Sequence, residues 1–396
     1  MTNYWFISVP SNPSRSATFQ NLRANLSSSS QNDLAEIAQF DIPEFKIGTL
    51  DQLVLLSDDL VKYDSTFEQI VLKLVDILRN LLGSGRMSGG GTSQQNRSVE
   101  NFLSVNEKTV DQYLKTFQWN AMKYRTDKSL SEIVELLSQE ANSIDTLMKN
   151  KMNNYNQVRG NLQALQRKET GNLAVRNLAG IVKREHFVLD SEYLVTLLVA
   201  VPKSLYKDWM NRYETMTQMV VPRSSQKIAE DEEYGLFNVT LFRRVADEFS
   251  NKCREQKFVV RDFTYDEQAL AGQKKDLEEV AANERELSEN ILRLARTNFG
   301  EIFSIWMHLK ALRIFVESVL RYGLPPDFLC VVLKPRPKSE RKLRDKLNDL
   351  YGHLGGVHGQ TSKKEEDVGA DEFSSLIDKN YHPYVFFELS WEPERR

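Results

Sequence analysis

The chain has 396 residues, enough for two or three domains with cores of their own. Hydrophobic residues make up 41% and charged residues 27%, the balance of a folded globular protein rather than a disordered one. A net charge of −3 excludes a generic nucleic-acid binder, which needs a basic footprint to neutralise phosphates.

The opening MTNYWFISVP lacks a basic leader, and its apolar run is too short for a signal peptide. Tyr4 to Val9 reads as a strand closed by Pro10, which cannot donate to a ladder. A helix is expected over Ser16 to Leu26, then a short extended segment over Ile42 to Thr49. Thr49 caps a helix running from Leu50 to about Leu82, with Leu53, Leu56, Leu60, Phe67, Ile70, Leu74 and Leu78 on its apolar side. Gly83 to Ser98 is a Gly/Ser-rich loop; its glycines follow a helix and lack Gly-Lys-Ser/Thr, which argues against a phosphate cradle. A helix is expected from Val99 to about Phe117, and Phe117 and Trp119 should be buried.

From Ser129 to Gln166 the apolar period becomes sevenfold: Leu130, Val134, Leu137, Ala141, Ile144, Met148, Tyr155, Val158, Leu162 and Leu165, with Lys151 the one charged exception. Ser129 with Glu132 matches a capping box. A poorer seam, Leu270 to Leu294, follows about a hundred residues later. Either the two seams form an antiparallel pair with a small domain at its tip, or each belongs to an intermolecular coiled coil; the pattern alone does not choose. Between them, Leu194 to Val201, Leu236 to Phe242 and Phe258 to Phe263 read as strands, Lys203 to Met219 as an amphipathic stretch and Arg243 to Glu255 as a helix, a small layered α+β or α/β domain. Its longest apolar run, Leu194 to Val201, is far below the ~20 residues of a membrane helix, so any membrane association should run through partners.

Ser288 to Pro326 is the most apolar helical stretch, with Phe299, Ile302, Phe303, Trp306, Leu309, Leu312 and Phe315 on a wide face, Gly300 as its weak point and Gly323 at its end. A strand, Phe328 to Leu333, a basic helix, Ser339 to Tyr351, a Gly/Lys/Asp-rich loop, Gly355 to Ala370, and a last strand, Tyr384 to Leu389, complete the chain. The strands at both termini and after Pro326 are expected to share one sheet.

Residues with catalytic potential are few. His186, His308, His353, His358 and His382 lack partners at metal-ligand spacing, and no hydrolase, zincin, Walker or Rossmann pattern occurs. Cys253 and Cys330 supply neither a disulfide framework nor a metal knuckle. No catalytic residue, cofactor or metal is expected.

Several segments together resemble one family, the C subunits of the vacuolar-type proton-translocating ATPase (V-ATPase): FKIGTLDQL (45–53), FQW (117–119), FVLDSEYLVTLLVAVPKS (187–204), VVPRSS (220–225), YGLFNVTLFRR (234–244), KFVVRDFTY (257–265) and HLKALRIFVESVLRYGLPP (308–326). The resemblance implies a predominantly helical α+β protein, elongated and two-lobed. A foot would be built from 1–128 and 297–396, a neck from helices 129–171 and 264–296, and a head from 172–263. It implies a non-catalytic stator role in which the head grips an E–G peripheral stalk and the foot meets a second stalk and the cytosolic domain of the membrane-sector a subunit, with assembly controlled by release of this protein. It also implies an alternative role in actin tethering. The candidate partner contacts on the head are Arg223 and the acidic run Asp231, Glu232 and Glu233. A cytosolic location on the face of endomembranes follows from the same resemblance.

Overall fold

The computed structural model describes residues 3–26, 34–84, 103–189, 191–359 and 382–391. Most of the Gly/Ser-rich loop, the start of the expected 99–117 helix and most of the 355–370 loop lie outside the described residues. The fold is predominantly helical α+β with small antiparallel sheets. It divides into two units, residues 1–151 with 290–396, and residues 152–289.

The first unit holds a four-stranded sheet of β1 (Tyr4–Pro10), β2 (Ala35–Gln39), β9 (Phe328–Pro335) and β10 (Val385–Leu389), in the order β10-β1-β9-β2. The three expected strands therefore do share a sheet. β2, AEIAQ, has too few β-branched residues to announce itself and is placed by its pairing with β9. Trp5, Ile7 and Val9 point to one face, where they pack with Leu22 and Leu26 of α1 (Arg15–Leu26) and Leu343 and Leu347 of α8 (Glu340–Tyr351). Ser8 points to the other, and its hydroxyl meets Ser318 at 2.7 Å. A strand covered on both faces reads as a continuous apolar run, which is why YWFISV shows no alternation.

The helices of this unit are α2 (Leu50–Ser84), the N-terminal part of α4 (Leu130–Thr170) and the C-terminal part of α7 (Glu267–Tyr322). Thr49 caps α2 as expected: its hydroxyl accepts the Gln52 N–H at 3.4 Å and Gln52 Oε1 accepts the Thr49 N–H at 3.2 Å. The stretch from Ser288 to Tyr322 and the seam that precedes it belong to a single helix of 56 residues. α7 ends at Gly323, whose φ of 82° is the left-handed conformation that only glycine adopts without strain.

The helix expected over Val99 to Phe117 does not form as such. In its described part, β3 (Ser104–Val105) and β4 (Lys108–Thr109) make a hairpin, and only α3 (Val110–Lys115) is helical. Asn106 and Glu107 both have positive φ, 49° and 64°, the two-residue turn that matches strand twist and breaks a helix. The apolar spacing of this segment fits either period, and the turn decides. This hairpin also explains Gly300: a Cβ there would lie 2.8 Å from the Ser104 carbonyl oxygen. The apparent weak point of α7 is where a neighbouring backbone needs the space.

In the second unit the C-terminal part of α4 and the N-terminal part of α7 face one another, with the Tyr155 hydroxyl donating to Glu284 at 2.9 Å. Those two positions lie on the two heptad seams, so within this unit the seams do meet. Beyond α4 comes a β-α-β-β-α-β run: β5 (Leu194–Pro202), α5 (Tyr206–Arg212), β6 (Gln226–Glu230), β7 (Tyr234–Phe242), α6 (Ala246–Glu255) and β8 (Val259–Arg261). The antiparallel order β6-β7-β5-β8 is the split β-α-β, ferredoxin-like arrangement.

Its two halves superimpose in sequence position. A shift of 40 residues carries Leu194 onto Tyr234, Pro202 onto Phe242, Trp209 onto Phe249 and Tyr213 onto Cys253. Leu198 pairs with Asn238, its own counterpart, so a pseudo-twofold axis passes between them. Val199, Val201, Trp209 and Tyr213 share one core with their counterparts Val239, Leu241, Phe249 and Cys253. The opposite face of the sheet, Leu198 and Leu236, is sealed by Leu173, Leu178 and Val182 from the segment following α4.

Candidate partner-binding surface

Because β5 and β7 are antiparallel and related by the pseudo-twofold, their two ends are built on the same backbone pattern. At one end the Lys203 N–H donates to the Glu233 carbonyl at 3.0 Å; at the other the Arg243 N–H donates to the Tyr193 carbonyl at 2.8 Å. Side chains make these ends different.

The Glu233 end carries the acidic run 230–233, and most of it is used within the fold. Asp231 Oδ1 accepts the N–H groups of Glu233 at 2.8 Å and Tyr234 at 2.6 Å, and Oδ2 accepts that of Leu173 at 2.6 Å. Burial alone would raise the Asp231 carboxyl, but these amides hold it below the ordinary carboxylate range. Aspartate suits the position because a short carboxylate reaches turn amides two and three residues on. Glu233 accepts the Asn172 side-chain amide at 3.0 Å, and Lys203 bridges to Glu230 at 3.1 Å. Of the three acidic candidates Asp231, Glu232 and Glu233, only Glu232 is left as an exposed side chain with no hydrogen bond or ion pair among the described residues.

Arg223, the fourth candidate, is not beside them. β6 runs between, roughly 16 Å of extended chain at about 3.3 Å per residue. Arg223 sits with the Tyr193 end, since its neighbour Ser224 bonds the Thr240 N–H at 3.2 Å and Val220 bridges Leu241. Arg223 has φ 56° and Met219 φ 68°, left-handed conformations costly for both residue types. The Glu214 carboxylate accepts the Arg223 N–H at 2.8 Å and is held below its ordinary range by that bond and the Tyr213 hydroxyl.

Around this turn three large apolar side chains are exposed: Tyr193 (69%), Met219 (46%) and Phe242 (40%). They lie on adjoining backbones, for the Phe242 N–H donates to the Met219 carbonyl at 3.1 Å and Leu194 pairs with Phe242. Arg243 and Arg244 are exposed next to them, with Arg244 Nη2 3.5 Å from Met219 Sδ. Sequence reasoning took Arg223 alone from this group. Tyr193, Phe242, Arg243 and Arg244 were legible only as motif residues, in FVLDSEYLV and VTLFRR, and Met219 only as the end of the amphipathic stretch from Lys203, since nothing in a strand's last residue says that its side chain will be left uncovered.

The first unit concentrates its polar groups inside. Buried Asp64 accepts Trp306 Nε1 and Lys310 Nζ, each at 2.7 Å, and Arg313 Nη1. Burial pushes Lys310 down and the Asp64 charge opposes that, so the carboxylate and the two cations hold one another in place. His308 Nδ1 faces the Ser304 carbonyl at 2.7 Å and Nε2 accepts the Asn120 N–H at 3.1 Å, an arrangement that assigns the proton to Nδ1. Phe117, Trp119 and Tyr124 surround it, and burial lowers it to about 4. Phe117 is buried as expected, whereas Trp119 is only half-buried. Asp111 ties Tyr4, Lys115 and Lys334 together at 2.6–2.9 Å; burial works against it, but these partners hold it at about 2. These are packing roles. Both cysteines are buried, and burial pushes the Cys253 thiol up to about 12, far from a nucleophile's range.

Among the described residues no group of three His, Cys, Asp or Glu could hold a metal, and no helix is long and apolar enough to cross a membrane. Two open clefts lie on the second unit, of about 570 Å³ beside Lys183, Arg184 and Phe187 and about 430 Å³ beside Leu165, Val175 and Gln273. Neither brings together a nucleophile and a base.

A family model for the V-ATPase C subunit matches residues 4–385. The chain is 42% identical over 393 residues to the C subunit of the V-type proton ATPase of Manduca sexta, covering 98% of each. It is 42% identical over 389 residues to the C 1 subunit of the V-type proton ATPase of Xenopus laevis, and 41% to that of Mus musculus, again over 98% of each chain. A match that runs from β1 to β10 and passes through both units assigns the whole fold: the chain belongs to the V-ATPase C-subunit family.

Proposed function

We propose that this protein is a non-catalytic stator component of a proton-pumping rotary ATPase, in which the second unit grips an E–G peripheral stalk and the first meets a second stalk and the cytosolic domain of the membrane-sector a subunit. The observation that carries the reading is the match to the V-ATPase C subunit over nearly the whole chain, at 42% identity. The physical chemistry agrees with it. Asp64, His308 and Lys310, buried in the first unit, and half-buried Asp111 are engaged in its internal packing. Torque on a rotor moves protons only if the catalytic ring is held still, and a protein that holds it needs stable cores and separate contact faces. Controlled release would require each contact to be individually modest. The protein would sit on the cytosolic face of an acidifying membrane through these partners.

The test is reconstitution of the pump with and without this chain, reading ATP-driven acidification of vesicles. Acidification should be lost without the chain while ATP hydrolysis by the detached sector persists. Full coupled pumping in its absence would overturn the reading.

A further inference from the structure

We propose that the turn between β9 and α8 and the first turn of α8, with Arg23 of α1 beside them, form a direct contact for the anionic lipid headgroups of a membrane surface. The contact adds to attachment through partner subunits and does not depend on the stator reading.

Four observations lead to it. First, the sequence concentrates charge here. Residues 334–346 carry seven Lys and Arg against two acids, Glu340 and Asp345, in a chain whose net charge is −3. Second, the fold adds to that density from a distant segment. The Arg336 N–H donates to the Leu34 carbonyl at 3.1 Å and the Leu34 N–H to the Leu26 carbonyl at 3.3 Å, so the last turn of α1, with Arg23, lies by the turn that follows β9. Arg23, Arg336, Lys338, Arg341 and Lys342 are all exposed. Third, nearby acids do not consume these cations. Among the described residues Arg23, Lys338, Arg341 and Lys342 make no side-chain hydrogen bond or ion pair, and neither do Glu340 and Asp345. Glu36 of β2 is taken by Lys115 at 2.5 Å, Asp111 by Lys115 and Lys334, and Asp349 lies farther along α8. The five cations therefore stand in excess over Glu340 and Asp345. Fourth, the patch has no apolar centre. The large apolar side chains that the fold leaves exposed include none from α1, the turn or α8. Phe19, Leu350 and Tyr351 pack against the core of the sheet instead.

The missing centre selects the partner. A protein interface draws most of its energy from a desolvated cluster of apolar and aromatic anchors, and rim charges mainly set the rate of encounter. An anionic bilayer needs no such anchor, because its surface potential attracts clusters of about four to eight Lys and Arg. The turn is also suited to display them. Pro335 and Pro337 fix the backbone on either side of Arg336, and Lys338 follows at φ 67°, so this segment has little conformational freedom left to lose on contact. A nucleic acid fits less well, since the net charge of −3 opposes an extended polyanion.

The experiment sediments the full chain with phosphatidylcholine vesicles containing about 30% phosphatidylserine or about 5% phosphatidylinositol bisphosphate, against phosphatidylcholine alone. Wild type is compared with Lys338→Glu/Arg341→Glu/Lys342→Glu. A second variant makes the same charge change at scattered exposed positions, Lys149→Glu/Lys207→Glu/Arg254→Glu. Thermal unfolding and far-ultraviolet spectra show that each variant is folded, and the neutral variant Lys338→Gln/Lys342→Gln replaces the patch reversal if that one is not. Wild type should pellet with anionic vesicles and stay in solution with phosphatidylcholine. The patch variant should partition at least about tenfold more weakly, and the scattered variant should stay within about twofold of wild type. Raising salt from about 50 to about 300 mM should release the wild type. Wild type that stays in solution with both anionic sets at about 50 mM salt would overturn the proposal. So would a patch variant that pellets like wild type, or a scattered variant that loses as much as the patch variant. Cosedimentation with actin filaments that the patch variant abolishes, without vesicle binding by the wild type, would reassign these cations to an acidic protein surface and overturn the lipid contact.

Discussion

The two ends of the β5–β7 pair use one backbone pattern for opposite purposes. At the Glu233 end a carboxylate gathers three backbone amides and a neighbouring segment closes over it. At the Tyr193 end the same register leaves aromatic, thioether and guanidinium groups in water. Equivalent geometry therefore does not set equivalent roles. What differs is whether the side chains find partners inside the chain, and hydrogen-bonded backbone leaves little to offer a second molecule, whereas uncovered apolar surface does.

The sharpest way to break this comparison is at the equivalent core positions beneath both ends. Trp209→Ala and Phe249→Ala should each destabilise the second unit by about 3–5 kcal/mol, the range for emptying a fully buried aromatic site. Trp209 should be the costlier, since it also removes a 3.0 Å bond to Ser225 and orphans that hydroxyl. Hydrogen exchange of the β5 and β7 amides against urea would show it, and a Phe249→Ala effect confined to one strand would end the idea of a shared twofold core.

Next comes the closed end. Asp231→Ala should cost about 1–3 kcal/mol by leaving turn amides unpaired, with Asp231→Asn intermediate because an amide can serve Glu233 and Tyr234 but not Leu173 as well. The same exchange measurement tests it, and an Asn variant as weak as Ala would discount the turn amides.

The pH dependence follows in sign. Asp231 titrates lower in the folded chain than in the unfolded one, so its stabilisation is fully present above the ordinary carboxylate range and fades as pH falls through the lowered value. Wild type should lose protection in β5 and β7 below about pH 4, and Asp231→Asn should show a shallower acid limb. An unchanged limb would remove Asp231 from the cause.

Smallest is the effect of surface charge on the fold itself. Arg244→Glu at the open end should change stability by no more than about 0.5 kcal/mol, as expected for an exposed side chain whose one hydrogen-bonding partner among the described residues is a thioether sulfur. Lys203→Ala at the closed end should be hard to detect, because the Lys203–Glu230 pair is exposed and screened. A large loss in Arg244→Glu would make the open end a structural feature instead of a surface.

The heptads of α4, the wide apolar face of α7, the caps at Thr49 and Gly323, and the strands β1, β5, β7 and β9 follow from the sequence alone, because they rest on period and on residues whose backbone preferences are local. So does the family, which motif order conveys without coordinates. The hairpin at 104–109, the short strands β2 and β6, the need for Gly300 and the duplicated core of the second unit do not. They depend on which distant backbone lies alongside, as Ser104 does against Gly300 and Leu198 against Asn238. The candidate surface divides the same way. Arg223 and Asp231 stand out in the sequence as charges, but only the tertiary structure turns Asp231 inward to its amides and separates it from Arg223 by the length of β6. Charge is a property of a residue, while exposure and partnership are properties of the chain around it.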